Sequence, residues 1–350
     1  MVQPVLSVLA LACLQIFSLT DLFRHESILP AATLSEEYLV KLRGRHVIFV
    51  DGLLNEAAHL VGNYFCDNIS EVKELGIGHS HIGYLSSYSV PKNSDTLVSD
   101  IQEIYVREKL PIILVGHSKG GAECLYAILK NPYLLQSGII DRVVLINPAV
   151  GGSPLAENVS KNILGRCFSK YLGAGLRSIQ PENSRKMFSE ALEYFKEFLM
   201  SKSEKTLPPS SSSTASNSSS SSSSSSSNRS TGSFNFKNLS DRVFYIRGAA
   251  TADTLCWGVK FVIFFCKEPL DASVPNDGLL HVEDQMLHGF GVDLGILDSD
   301  HIDLVVGNHY LLYYLQTYAF SCFYICMFTY SFLYFLYSFI HQFIYFIFFP

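Results

Sequence analysis

The sequence predicts an α/β fold: a mostly parallel central sheet with helices on both faces and a helical, lid-like insert. Three observations carry that expectation. The apolar runs Val47-Ile48-Phe49-Val50, Ile112-Ile113-Leu114-Val115 and Val143-Val144-Leu145-Ile146 have the length and β-branched content of strands buried on both faces. Helical periodicity lies between them, as in 94–109, where Leu97, Ile101, Ile104 and Tyr105 share one face. The middle run ends in Gly116-His117-Ser118-Lys119-Gly120, and Ala122 to Lys130 then reads as a helix, so the serine sits in a strand–turn–helix elbow.

Composition narrows the class. The 350 residues suffice for one large domain or two smaller ones. A formal charge of −6 with no Lys/Arg cluster offers no footprint for nucleic acid. The eight cysteines (13, 66, 124, 167, 256, 266, 322 and 326) contain no C-x-x-C pair and no zinc spacing, which favours buried free thiols. Sequons at Asn68, Asn158, Asn217, Asn228 and Asn238 matter only if the chain enters a secretory lumen.

Taken in order, residues 1–20 are uncharged and largely apolar, and read as a signal peptide or anchor lacking a basic n-region, or as a core helix. A helical patch near Ser35–Lys41 precedes a strand from Arg45 that ends at the Asp51-Gly52 turn. That turn makes the backbone N–H of Leu53 a candidate oxyanion donor, with the N–H of Lys119, directly after the serine, as the second. Gly76-Ile77-Gly78-His79-Ser80-His81-Ile82-Gly83 is rich in Gly and His. It lacks both a metal spacing and a Lys-Ser/Thr ending, so a surface loop is expected.

After the 142–146 strand, residues 155–200 read as a mostly helical insert, either a lid or simply packed helices, with Phe188, Leu192, Phe195 and Leu199 on apolar faces. Residues 208–233 are mostly serine and are expected to be a disordered insertion. Ordered sequence resumes with a strand at Asp241–Arg247, so the tract interrupts one domain, spanning 35–310, rather than separating two.

Beyond the tract come Asn276-Asp277-Gly278-Leu279, a turn at a strand end, and Asp300-His301-Ile302-Asp303. A nucleophilic serine needs a base to take its proton and an acid to orient that base. Ser118, Asp277 and His301 stand in the chain order such a triad requires on this fold. His281, His288 and His309 are rivals in the same region, and Asp253 is a rival acid. His301 is preferred because it sits in a polar turn between apolar segments.

Four segments resemble the bacterial true lipases of the α/β-hydrolase superfamily: Val50-Asp51-Gly52-Leu53, Gly116–Gly121, Asn147–Glu157, and Asn276-Asp277-Gly278-Leu279 with Asp300-His301-Ile302-Asp303. The resemblance covers roughly 45–160 and 240–310. It implies an α/β-hydrolase fold and esterase or lipase activity through Ser118, Asp277 and His301, with the Leu53 and Lys119 amides as oxyanion hole. It also implies a structural calcium at Asp303, for which a second carboxylate, Asp253 being one candidate, is required; a helix cap or surface charge is the competing reading of Asp303. The sequence departs from the family at Asp51, Lys119 and Gly151, where His, Met or Gln, and Arg are usual.

Residues 311–350 are dominated by Phe and Tyr and read either as a membrane segment or as an artefact of the gene's predicted end. The expected activity is carboxylic-ester hydrolysis on a lipid or other ester, with no cofactor required, in a secreted or membrane-associated protein. An acyltransferase or thioesterase of the same fold, or an inactive membrane-attached binding protein, are the alternatives.

Overall fold

The computed structural model describes residues 36–58, 64–159, 172–205, 236–256, 259–260, 262–263 and 270–305. The expectations for 1–20, 208–233 and 311–350 lie outside these residues, as does 160–171 of the expected insert. Among the described residues no helix is long and apolar enough to cross a membrane.

Six parallel strands form one sheet in the order β2-β1-β3-β4-β5-β6. They are β1 (His46–Val50), β2 (Gly78–Ile82), β3 (Ile112–His117), β4 (Ile140–Ile146), β5 (Val243–Ala249) and β6 (Val292–Asp298). Strand residues alternate between faces. Ile48, Val50, Leu114, Val143 and Leu145 enter the larger core cluster, while Val47, Phe49, Val115, Val144 and Ile146 enter the smaller one on the other side.

Helices α1 (Glu36–Arg43) and α2 (Cys66–Glu74) supply Leu42 and Val72 to the smaller cluster. Helices α3 (Val90–Glu108), α4 (Ser118–Lys130) and α5 (Pro181–Lys205) fill the larger one. Helix α3 starts earlier than its periodicity suggests, because Ser89 caps it and accepts from the Lys92 N–H. Helix α5 lies against α4: Phe188 meets Tyr126 edge-on at 6.3 Å, and the Lys130 ammonium sits 3.9 Å over the Tyr194 ring.

One strand departs from expectation, and another lies where the sequence shows no strand signal. The Gly76–Gly83 stretch is no surface loop; Gly78–Ile82 is edge strand β2, paired with β1 along its whole length. Its polar pattern fits an edge position, where one flank faces no neighbouring strand. Strand β6, at the opposite edge, carries no buried run at all, only V-D-L-G-I-L-D with partial exposure throughout. Asp277 follows no described strand; Asn276 instead makes an isolated antiparallel bridge with His281, and its carbonyl accepts from Ala250 N–H at 2.8 Å.

This strand order creates a crevice. From β1 the chain moves outward to β2 and then crosses back to β3 on the other side of β1. The loops after β1 and β3 therefore diverge at adjacent carboxyl ends, the point where open parallel sheets bind ligands.

Candidate active site

Ser118 stands at that point. His117 ends β3 in an extended conformation, and Ser118 begins α4 with φ of 54°. A left-handed serine costs roughly 1–2 kcal/mol. Leu54 after β1 and Asn147 after β4 are also left-handed, so backbone strain gathers around the same crevice.

The turn is possible because the chain is bare where it must be. A Cβ on Gly120 would lie 2.2 Å from the Asp51 carbonyl oxygen and 2.6 Å from that of Val50. One on Gly52 would come within 3.0 Å of Ser118 Cβ. Glycine at both sites lets the elbow and the post-β1 loop touch backbone to backbone.

The three residues singled out by chain order meet here. His301 Nε2 lies 2.8 Å from Ser118 Oγ, and His301 Nδ1 lies 2.7 Å from Asp277 Oδ2. A carboxylate only accepts, so the Nδ1 proton points to Asp277 and Nε2 is left to accept from the serine hydroxyl. Asp253, the rival acid, is exposed on the surface. His281 pairs with Asp284, at 3.7 Å, and not with Ser118.

Each member is held by its own neighbours. Asp277 is fully buried; its Oδ1 accepts from the N–H groups of Leu279 (2.9 Å) and Leu280 (2.7 Å). Its Oδ2 accepts from Gln285 Nε2 at 3.0 Å as well as from His301. The His301 N–H donates to the Asp277 carbonyl at 2.9 Å. The His301 carbonyl in turn accepts from His117 Nε2 at 2.7 Å and Asn147 Nδ2 at 3.2 Å. Ser118's carbonyl receives the Ala149 N–H at 3.0 Å.

Of the two amides expected to act as oxyanion donors, that of Lys119 directly follows the serine, and that of Leu53 follows Gly52, where an added Cβ would lie 3.0 Å from Ser118 Cβ. Lys119 is the second residue of α4, so its N–H has no acceptor in the helix. Its side chain turns into the protein, where both it and Glu123 are 2% exposed and form an ion pair. Glu123 also accepts from Asn93 Nδ2 at 2.7 Å. Leu53 is anchored by its neighbours: Tyr64 Oη donates to its carbonyl at 3.3 Å, and the Leu54 N–H donates to Ser86 Oγ at 2.7 Å. Ser86 then donates through its N–H and hydroxyl to Glu56.

Several groups near the site titrate abnormally. Burial, and secondarily the charge on His301, pushes His117 well below its ordinary value, so it stays neutral. Burial raises the Asp51 carboxyl, against the hydrogen bond it makes to His81 Nε2 at 2.6 Å. Burial also raises Glu123, opposed by the Lys119 charge. Burial alone would raise Glu56 too, but the hydrogen bonds from Ser86 outweigh it and the group is lowered.

Asp303 has a second carboxylate beside it, but that carboxylate is Asp300. Ligand atoms of Cys256, Asp300 and Asp303 all lie within 4.8 Å of one another. Asp300 Oδ1 already accepts the Ile302 and Asp303 N–H groups, its Oδ2 accepts the Cys256 N–H at 2.5 Å, and Asp303 Oδ2 accepts the Asp300 N–H at 3.0 Å. Calcium takes six to eight hard oxygen ligands. Two carboxylates engaged with backbone, plus a thiol that burial and Asp300 raise far above its ordinary value, suit that ion poorly.

Sequence reasoning did not find His117, Asn147, Gln285 or Glu123. His117 lay inside the pentapeptide, as its variable second position, and Glu123 stood at the i,i+4 ion-pair spacing from Lys119; Asn147 and Gln285 carried no spacing signal.

No family model matches the chain, and no curated protein matches it by sequence. Among solved structures it is similar to a metagenomic carboxyl esterase, at 21% identity and a TM-score of 0.44, over 77% of this chain and 68% of that one. It is similar to a Bacillus licheniformis lipase in mature form, at 17% identity and 0.46, over 77% and 90%. It is also similar to the Legionella pneumophila phospholipase PlaB, at 13% identity and 0.40, over 69% and 45%. At these values no residue role transfers from them. The α/β-hydrolase architecture is read from the parallel strand order and the Ser118 elbow themselves.

Proposed function

We propose that this chain is a serine carboxylic-ester hydrolase of lipase or esterase type, acting through an acyl-enzyme on Ser118. One observation carries the reading: a continuous hydrogen-bond chain runs from Ser118 Oγ through His301 to a fully buried Asp277.

In this reading His301 Nε2 takes the Ser118 proton as Oγ bonds to the ester carbonyl carbon. The carbonyl oxygen, now an oxyanion, is received by the Leu53 and Lys119 N–H groups. The tetrahedral intermediate collapses, the alkoxide leaves with the proton from His301, and the acyl group stays on Ser118. Water then attacks the acyl carbon with His301 again as base, releasing the acid and restoring the serine. Asp277 offsets the imidazolium charge in both halves and keeps the Nδ1 tautomer.

No metal or organic cofactor enters these steps. We read Asp300 and Asp303 as a mutual backbone cap rather than a calcium site, because each accepts the other's N–H and three of their four carboxylate oxygens accept backbone N–H groups. The substrate is a lipid or other carboxylic ester, and the apolar terminal segments favour a secreted or membrane-associated enzyme.

The test is turnover of p-nitrophenyl esters of increasing acyl length by the full-length chain and by Ser118→Ala. The reading expects a burst of nitrophenol equal to the enzyme present, lost in Ser118→Ala. Adding methanol as a competing acceptor separates hydrolysis from acyl transfer. No turnover at any chain length by folded wild type would refute it.

A further inference from the structure

We infer that Gln285 is a positioning residue of the active site: it fixes the Asp277 carboxylate on the oxygen that receives His301 Nδ1, so that His301 is aimed at Ser118. The inference rests on the triad reading and goes beyond it, since nothing in a triad requires a glutamine.

Gln285 is fully buried in the short 3-10 turn Val282–Gln285. Its amide is read completely by its surroundings. Oε1 accepts the Gly248 N–H at 2.8 Å, while Nε2 donates to the Gly248 carbonyl at 3.0 Å and to Asp277 Oδ2 at 3.0 Å. Turned over, the amide would set its oxygen against two other acceptors and its NH2 against the Gly248 N–H. The orientation is therefore determined by the network.

The anchor is rigid. Gly248 lies in β5, paired with Leu297 of β6. A donor mounted on the sheet thus reaches the same oxygen, Oδ2, that accepts from His301 Nδ1. With Oδ1 held by the Leu279 and Leu280 amides, the carboxylate has four donors and no freedom to rotate. A buried charge needs such partners.

The second effect is electrostatic. Two donors on Oδ2 divide its negative charge, so each receives less of it. Removing Gln285 gives His301 the whole of that oxygen. The imidazolium is then favoured, and His301 stays protonated to higher pH.

The experiment measures the second-order rate of fluorophosphonate labelling against pH for full-length wild type, Ser118→Ala, Gln285→Met and Gln285→Glu, with the thermal midpoint of each. A hydrogen bond to a charged group is worth about 1.5–3 kcal/mol, so Gln285→Met should label about 10- to 100-fold more slowly, with its acid limb moved to higher pH. Ester KM should stay within about twofold while kcat falls, as expected for an interaction that matters in the transition state. In Gln285→Glu the new carboxyl, kept protonated beside Asp277, donates one O–H to Oδ2. Its rate should approach wild type at low pH and fall as pH rises, a limb that wild type lacks.

A glutamine that only fills space would move neither limb. Folded Gln285 variants with the wild-type rate and pH profile overturn the inference while leaving the triad standing. If Gln285→Met does not fold, the alkaline limb of Gln285→Glu decides alone, and its absence counts against the inference. Wild type that labels no faster than Ser118→Ala overturns the triad reading and this inference with it.

Discussion

His117 Nε2 donates to the carbonyl oxygen of His301 at 2.7 Å, so the residue beside the serine holds the backbone of the residue that faces it, although 184 positions separate them. The rings lie 4.9 Å apart, centroid to centroid. The second residue of the pentapeptide thus ties the elbow to the His301 turn. Replacing it with phenylalanine keeps the ring and removes the donor, leaving Asn147 as the remaining side-chain partner of that carbonyl. His117→Phe should lower stability by about 1–3 kcal/mol in urea unfolding and reduce kcat more than it raises KM.

The same residue fixes a pH dependence. Its folded value is depressed far below 6.5, chiefly by burial. Above 6.5 neither folded nor unfolded chain protonates it; below, only the unfolded chain does. Stability is therefore fully present above 6.5 and is lost as pH falls from there, by about 1.4 kcal/mol per pH unit while only the unfolded state binds the proton. Urea midpoints between pH 7 and pH 5 should show this slope in wild type and a shallower one in His117→Phe.

Most of the interior is legible in the amino-acid sequence. Strands β1, β3 and β4 are short apolar runs because both faces are buried, and β5 announces itself as Val243-Phe244-Tyr245-Ile246. The edge strands are not legible. Glycine, serine and histidine in β2, and aspartates with Gly295 in β6, are tolerated only where burial is partial. Chain order points to Ser118, Asp277 and His301, because the fold presents strand ends in a set sequence. Gln285 and Asn147 are hidden for the opposite reason: an amide that bridges distant loops leaves no periodicity, and only the folded chain shows what it touches.

Lys119 illustrates a residue whose charge serves the fold. Its ion pair with Glu123 is almost wholly buried, so removing one partner strands the other. Lys119→Met should destabilise by about 3–5 kcal/mol, and the double variant Lys119→Met with Glu123→Gln should recover most of that loss in a double-mutant cycle. Because only the backbone N–H of position 119 would meet the oxyanion, the double variant should keep kcat within about tenfold of wild type, well short of the loss seen when an oxyanion donor is removed.

Gly120→Ala tests the packing of the elbow. The added carbon meets backbone oxygens of β1's end, which have nowhere to move. A loss of about 1–3 kcal/mol or more in the urea midpoint is expected, with labelling of the folded fraction also slowed.

If Asp300 and Asp303 cap each other rather than hold an ion, a chelator should leave the thermal midpoint unchanged, and millimolar calcium should not raise it. A calcium-dependent rise would restore the metal reading, since ligands that bind only the native state stabilise it.

The central claim is that Ser118 is the nucleophile. Mass spectrometry of the full-length chain after reaction with a fluorophosphonate measures it most directly. One adduct per chain is expected, on the peptide carrying Ser118, absent in Ser118→Ala and strongly slowed in His301→Ala. An adduct on another residue, or equal labelling of Ser118→Ala, would contradict it.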